Sequence, residues 1–216
     1  MFLTNQKFYF IIFLSLTFHI IASFYSTGWL NADEQSCILE YLNLKLGYTS
    51  NPCFLNYADE RAIDSSIKLR SWFQPFLYYL LSKIFIFFNI NNFFTFSFIL
   101  KLFSSIIGWI SVLFFYIVTK DHFQDKVVKN FYLLLIFSFW FYPLLHARTS
   151  AENLSISFLF IAISYYLYFR NNIKVFKIFI LGFFFTLSFV FRYNLIFCII
   201  FFYLWLIIFE KINFQE

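Results

Sequence analysis

Long apolar runs alternate with short polar interruptions along almost the whole chain. The first run covers residues 8–28, with Lys7 before it and Trp29 at its far end. As a helix, about 20 such residues cross the roughly 30 Å hydrocarbon core of a bilayer. Further runs cover 93–119, 131–145, 154–169, 178–191 and 195–209, giving about six expected spans. A shorter run, 76–88, is interrupted by Lys83 and reads as a short or re-entrant segment. The first run is long for a signal-peptide core and lacks a small-x-small cleavage site, so a retained helix is expected, with a cleaved signal peptide as the competing reading. One long polar stretch, 31–73, follows the first run. In it, Asn31 and Glu34 have the spacing of a helix start, Ile38, Leu42 and Leu46 recur every four residues, and Gly47 suits a helix stop. These signals predict an amphipathic helix on the membrane surface, and a second surface helix is expected over 57–71.

Composition narrows the class. Hydrophobic residues make up 62% of the 216 and charged residues 12%, about half of what a soluble domain carries. The chain has 39 Phe, 4 Gly and 3 Pro, too little polar material to build an aqueous surface. The expected fold class is therefore an all-α polytopic membrane protein, a single transmembrane domain over 1–216. The net charge of +5 is spread over short loops and does not form a basic patch, which argues against nucleic-acid binding. Lys120, Lys126 and Lys129 in one loop, and Arg170, Lys174 and Lys177 in another, should lie in the cytoplasm with Lys7. The 31–73 stretch, holding Asp33, Glu34, Glu40, Asp59, Glu60 and Asp64, then faces outward. Of the three Cys, Cys37 and Cys53 share that stretch, as a disulfide or as two thiols, and no spacing suggests zinc.

This orientation puts three polar patches on the outer face: 31–73, 146–153 and 192–194. Asp33 and Glu34 can favour a helix N-terminus, or one of them can serve as a carboxylate general base at the membrane surface. Arg148 and Arg192, placed between apolar runs, can snorkel to headgroups or grip a phosphate in bidentate fashion. Lys68 and Arg70 add positive charge near the same face. His122 and His146 have no partner at metal-ligand spacing and read as interfacial histidines; no metal site is expected. A base beside several cations suits transfer of a group from a lipid phosphate to a hydroxyl.

The pattern resembles the GT-C superfamily of polyprenyl-phosphate-sugar-dependent glycosyltransferases, most closely family 22, the α-mannosyltransferases of GPI-anchor and N-glycan precursor assembly. The family's His-Pro-Asp-Glu motif after the first span is matched by Asn31-Ala32-Asp33-Glu34-Gln35, with Glu40 beyond it. Its Ile-Arg-Ser-aromatic-x-x-Pro step is matched by Leu69-Arg70-Ser71-Trp72-Phe73-Gln74-Pro75, and its Arg-Thr-x-x-Asn-x-x-Glu element partly by Arg148-Thr149-Ser150-Ala151-Glu152-Asn153. A later Ile-Arg-Pro-Thr step corresponds to Phe191-Arg192-Tyr193-Asn194. The motif's His and Pro are replaced here by Asn31 and Ala32, and no Pro follows Arg192. The resemblance implies a GT-C-like helix bundle and catalytic roles for Asp33 and Glu34. It implies inverting transfer of mannose from a dolichyl- or polyprenyl-phosphate carrier, a co-substrate in place of a cofactor, to a glycan or glycolipid hydroxyl. It covers only the N-terminal half of family members, so a second polypeptide supplying the other half is an expected partner beside membrane lipids. The expected site is the endoplasmic reticulum membrane in a eukaryote or the plasma membrane in a bacterium. A catalytically inactive membrane scaffold and a transporter are the competing readings. A transporter would show ionisable groups near mid-span and internal repeats, whereas Lys101 is the main such group here.

Overall fold

The computed structural model describes residues 2–26, 38–48, 73–90, 92–170 and 175–209. Every regular element among them is helical: α1 Phe2–Tyr25, α2 Glu40–Leu46, α3 Phe73–Phe87, α4 Phe93–Thr119, α5 Lys126–Ser138, α6 Phe141–His146, α7 Ala151–Phe169, α8 Val175–Phe191 and α9 Ile196–Phe209, with 3-10 turns at Lys120–His122 and Tyr193–Leu195. Four segments are long and apolar enough to cross a membrane by length and composition: Gln6–Tyr25, Phe94–His122, Lys126–His146 and Ala151–Phe169. The apolar helices α3, α8 and α9 are shorter.

Local chemistry sets the helix ends. Asn92, Asp125 and Ser150 are extended N-caps whose side chains accept from Phe94, Val127 and Asn153 backbone N–H groups. Gly47 stops α2 as the sequence predicts. Its φ is 80°, its N–H donates to Leu44 O, and Tyr48 N–H donates to Asn43 O, the paired bonds of a left-handed helix stop. Asn89 closes α3 the same way at φ 61°, with Asn89 N–H on Ile86 O and Ile90 N–H on Phe85 O. Asn tolerates this region better than most residues with a Cβ.

α4 is central: α1, α3, α5, α6 and α7 all pack on it. α8 packs on α7, and α9 joins them around Ala162, Tyr166, Leu181, Phe185, Ile199 and Leu206. Beside these apolar clusters, many residues at the contacts are small and polar. Ser15, His19 and Ser23 on α1, Ser104, Ser105 and Ser111 on α4, Ser155, Ser157 and Ser164 on α7, and Ser188 on α8 are all buried. Large side chains point outward, among them Phe13 (69% exposed), Phe179 (72%) and Phe201 (69%). So many buried serines and exposed phenylalanines are unusual for a water-soluble core. Most of the serine hydroxyls bond within their own helices, as Ser23 does to His19 O, Ser111 to Gly108 O and Ser164 to Phe160 O. Ser188 instead reaches across to Ser155 O at 2.8 Å, tying α8 to α7.

Two expectations change. The 131–145 run lies within one candidate span but is not one continuous helix: it breaks at Phe139, which is extended at ψ 104°. Pro143 explains the break. It has no N–H for the Phe139 carbonyl and its ring would strike that carbonyl in a continuous helix, whereas the first turn of α6 accepts it. The apolar stripe of α2 does not lie toward an outer surface. Ile38 and Leu42 are buried in one cluster with Tyr78, Leu100, Leu154 and Phe191. The stripe covers an apolar area of the bundle that would otherwise stay open. The expected start at Asn31, the 57–71 helix and the Cys37–Cys53 pair lie outside the described residues. Lys101, the ionisable residue within the longest helix, donates to Ser26 O at the C-terminus of α1, where a cation offsets the helix dipole.

Gly108 gives a direct test of the close packing. A Cβ there would stand 2.5 Å from His146 Cγ and 2.7 Å from its Cδ2, whereas one at Gly182 would meet nothing within 4 Å. Gly108→Ala should therefore destabilise the bundle by about 1–3 kcal/mol, and Gly182→Ala should be neutral or stabilising by about 0.5–1 kcal/mol. Melting temperatures of both variants in one detergent check this. An unchanged melt for Gly108→Ala would mean that α6 does not press on α4.

Candidate functional site

The break before Pro143 sends α6 and the Ala147–Ser150 loop back onto α4, and the loop is then fixed from several sides. Asn153 Nδ2 donates to both His146 O and Arg148 O at 2.8 Å. Gln74, at the start of α3 and 2% exposed, donates through Nε2 to Thr149 O at 2.7 Å. It also bonds Tyr78 Oη at 3.1 Å, and Tyr78 Oη pairs with Ser104 Oγ at 2.8 Å. A carbonyl can only accept, so the Thr149 contact fixes the orientation of the Gln74 amide.

Arg192 follows the last residue of α8, and its Nη2 lies 2.9 Å from Glu152 Oε1 in the first turn of α7. The 148–153 and 192 segments, distant in sequence, thus meet. Both side chains are partly exposed, 28% for Arg192 and 37% for Glu152. An ion pair so placed adds about 0.2–1 kcal/mol, so its main effect is to orient the two groups.

Beside this pair is a cavity of about 310 Å³ between α4, α6 and α7. Arg148, Glu152 and Asn153 line its polar side, and Val112, Ile156 and Phe160 its apolar side. It is amphipathic, suited to a ligand with a charged or polar head and an apolar body. Arg148, Arg192 and Glu152 sum to a formal charge of +1, from two cations and one anion.

Of the residues expected to act, Arg148 lines this cavity and Arg192 holds the Glu152 that also lines it. Asp33, Glu34, Lys68 and Arg70 lie outside the described residues. The spacing reading missed two things. Glu152, within a quoted motif, is the partner of Arg192. His146, read as an isolated interfacial residue, stands against His19 with His19 Nε2 3.0 Å from His146 Nδ1. The signal for the second was the four-residue repeat Ser15, His19, Ser23, which marks one polar face of α1. Among the described residues no group of three or more His, Cys, Asp or Glu could hold a metal.

No family model, curated protein or solved structure matches this chain.

Asn153→Ala should cost about 1–3 kcal/mol, because it removes two hydrogen bonds to loop carbonyls at roughly 0.5–1.5 kcal/mol each. Ser150→Ala, which removes one cap, should cost about 0.5–2 kcal/mol. Thermal melts of the two variants measure this. Equal stability of Asn153→Ala and the parent protein would show that the loop is held by other contacts.

Proposed function

We propose that the chain is a polytopic membrane protein of GT-C type that transfers mannose from a polyprenyl- or dolichyl-phosphate carrier to a glycan or glycolipid hydroxyl, with inversion. Small polar side chains inside and large apolar ones outside support hydrocarbon as its solvent, since helices in lipid pack through small residues and gain little from burying large ones. The observation that carries the transferase reading is the Glu152–Arg192 contact at 2.9 Å. It joins the two Arg-bearing segments of the sequence resemblance beside one amphipathic cavity. A net charge of +1 suits a sugar phosphodiester, which carries one negative charge.

In this reading the donor phosphate sits against Arg148 and Arg192 with the lipid leading away along apolar walls. The Asp33 carboxylate takes the proton of the attacking hydroxyl as its oxygen bonds to the sugar C1. The bond from C1 to the phosphate oxygen breaks on the opposite face, inverting C1. The leaving phosphate gains a second negative charge, which the guanidinium groups stabilise. The resemblance gives Glu34 a supporting role, and Lys68 and Arg70 add positive charge expected on the same face.

Transfer from polyprenyl-phosphate-mannose to a lipid-linked glycan, by membranes carrying the chain, tests this. Asp33→Asn should lower the rate roughly 10²–10⁴-fold with insertion unchanged. Arg148→Ala should raise the donor KM roughly tenfold or more, the value of a charge-assisted hydrogen bond. Arg192→Ala also leaves Glu152 unpaired. The double change Arg192→Ala with Glu152→Gln keeps the net charge at +1, and should stay weak for the donor if Arg192 grips phosphate. Parental transfer by Asp33→Asn would remove the base. No transfer by the parent chain, correctly inserted, would favour a scaffold.

A further inference from the structure

Buried His19 and partly buried His146 form a relay with only one consistent proton arrangement. His19, 3% exposed on α1, has Nδ1 2.8 Å from the Ser15 carbonyl. A carbonyl accepts only, so His19 Nδ1 carries the hydrogen. In a neutral imidazole the other nitrogen is then a bare acceptor, and an imidazole is mostly neutral at pH 7. His19 Nε2 must therefore accept from His146 Nδ1 at 3.0 Å. His146 in turn carries its hydrogen on Nδ1, and its Nε2 is left with a lone pair. No side chain or backbone group among the described residues meets that nitrogen.

The ring that carries this lone pair has little freedom. Gly108 lies so close that a Cβ there would overlap the ring, and Tyr142 stacks on it with centroids 5.6 Å apart and planes 5° from parallel. The same ring lines the cavity, between the polar side at Asn153 and the apolar side at Ile156. The cavity thus has this imidazole on its wall as well as Arg148. A phosphate ester ionised at neutral pH has no hydrogen to offer that lone pair. A hydroxyl has one. At the roughly 30 Å³ a water molecule occupies in liquid, the cavity holds a body of about ten non-hydrogen atoms.

We propose that this cavity binds a hydroxyl on a short apolar body, and that His146 Nε2 accepts the hydrogen bond from that hydroxyl. His19 is a positioning residue: through Ser15 O it holds His146 in the tautomer that accepts. The proposal needs no sugar transfer, although it concerns the same cavity whose apolar walls the transferase reading gives to the donor lipid.

The chain has three histidines, so the full-length protein labelled with 15N-histidine and reconstituted in lipid nanodiscs gives a readable spectrum. His122→Gln and His146→Gln assign the signals. His19 and His146 should both show hydrogen on Nδ1, with a non-protonated Nε2 on His146. Geraniol should shift the His146 Nε2 signal. Geranyl methyl ether, with the same body and no donor, should leave it in place. Methyl glucoside separates a sugar hydroxyl from one on an apolar body and should have little effect. His19→Phe should leave His146 in mixed tautomers and weaken geraniol roughly tenfold, the value of one lost hydrogen bond. Hydrogen on His146 Nε2 in the parent protein overturns the relay, whatever the variants do. Equal responses to geraniol and its ether overturn the hydroxyl contact. A shift with methyl glucoside alone overturns the apolar body.

Discussion

Helices that pack through serine and glycine can approach closely, but they gain little from burying apolar area in the process. α4 shows this constraint most plainly. Ser104, Ser105, Gly108 and Ser111 form its inner face, and α1, α6 and α7 close on that stretch. Each contact depends on the absence of a larger side chain: the His146 ring occupies the space a Cβ would take at Gly108. In the membrane setting proposed for this chain, little hydrophobic gain is left between helices, and dispersion contacts and hydrogen bonds decide the register. Ser188 on Ser155 O, Ser105 on His19 O and Lys101 on Ser26 O each join one helix backbone to another helix. The larger side chains then fill the space between these points, as Tyr116 does with Leu133, Ile136 and Phe137.

The candidate site depends on that packing and on one proline. An unbroken helix through 143 would carry His146 and Arg148 onward along the α5 axis. The break at Phe139 turns them back, and the short α6 lays His146 against α1 and α4. The loop that follows has exposed carbonyls, and these are met by Asn153 and Gln74. A loop whose carbonyls are taken by amide side chains from α7 and α3 holds Arg148 on a defined backbone. Such support is what a binding residue on a loop requires.

The sequence made the helices legible because their signals are local. The run at 93–119 is α4, Phe93–Thr119. Gly47 stops α2 in the conformation its residue type suggests. The Pro143 break was also local, but a continuous apolar pattern hid it, since hydropathy is the same on both sides of a bend. The α2 stripe shows a different limit. Ile38 and Leu42 mark an apolar face, but spacing cannot say whether lipid or Tyr78 and Leu100 cover it. The site was less legible still. Arg148 and Arg192 stood out because charge next to hydrocarbon is costly, yet nothing in their spacing paired Arg192 with Glu152. His19 and His146 are 127 residues apart, and only the folded chain brings them together.

The geometry of the Glu152–Arg192 pair follows from where the helices begin and end. Glu152 lies in the first turn of α7, where the partial positive charge of the helix N-terminus favours an anion. Arg192 follows the end of α8, where the partial negative charge favours a cation. The two helices pack side by side, and the Ser188–Ser155 bond brings the end of α8 to the start of α7. Opposite helix ends therefore meet, and each charge suits both its own helix and its neighbour. This accounts for the pair without any ligand. It does not account for Arg148, which follows α6 and lines a cavity whose other side is apolar. Arg148 has interactions of its own within the fold, and its place on that wall makes it a lining residue as well as a structural one. The ion pair next to it is neutral as a pair, so Arg192 adds a guanidinium to this end of the bundle without adding net charge.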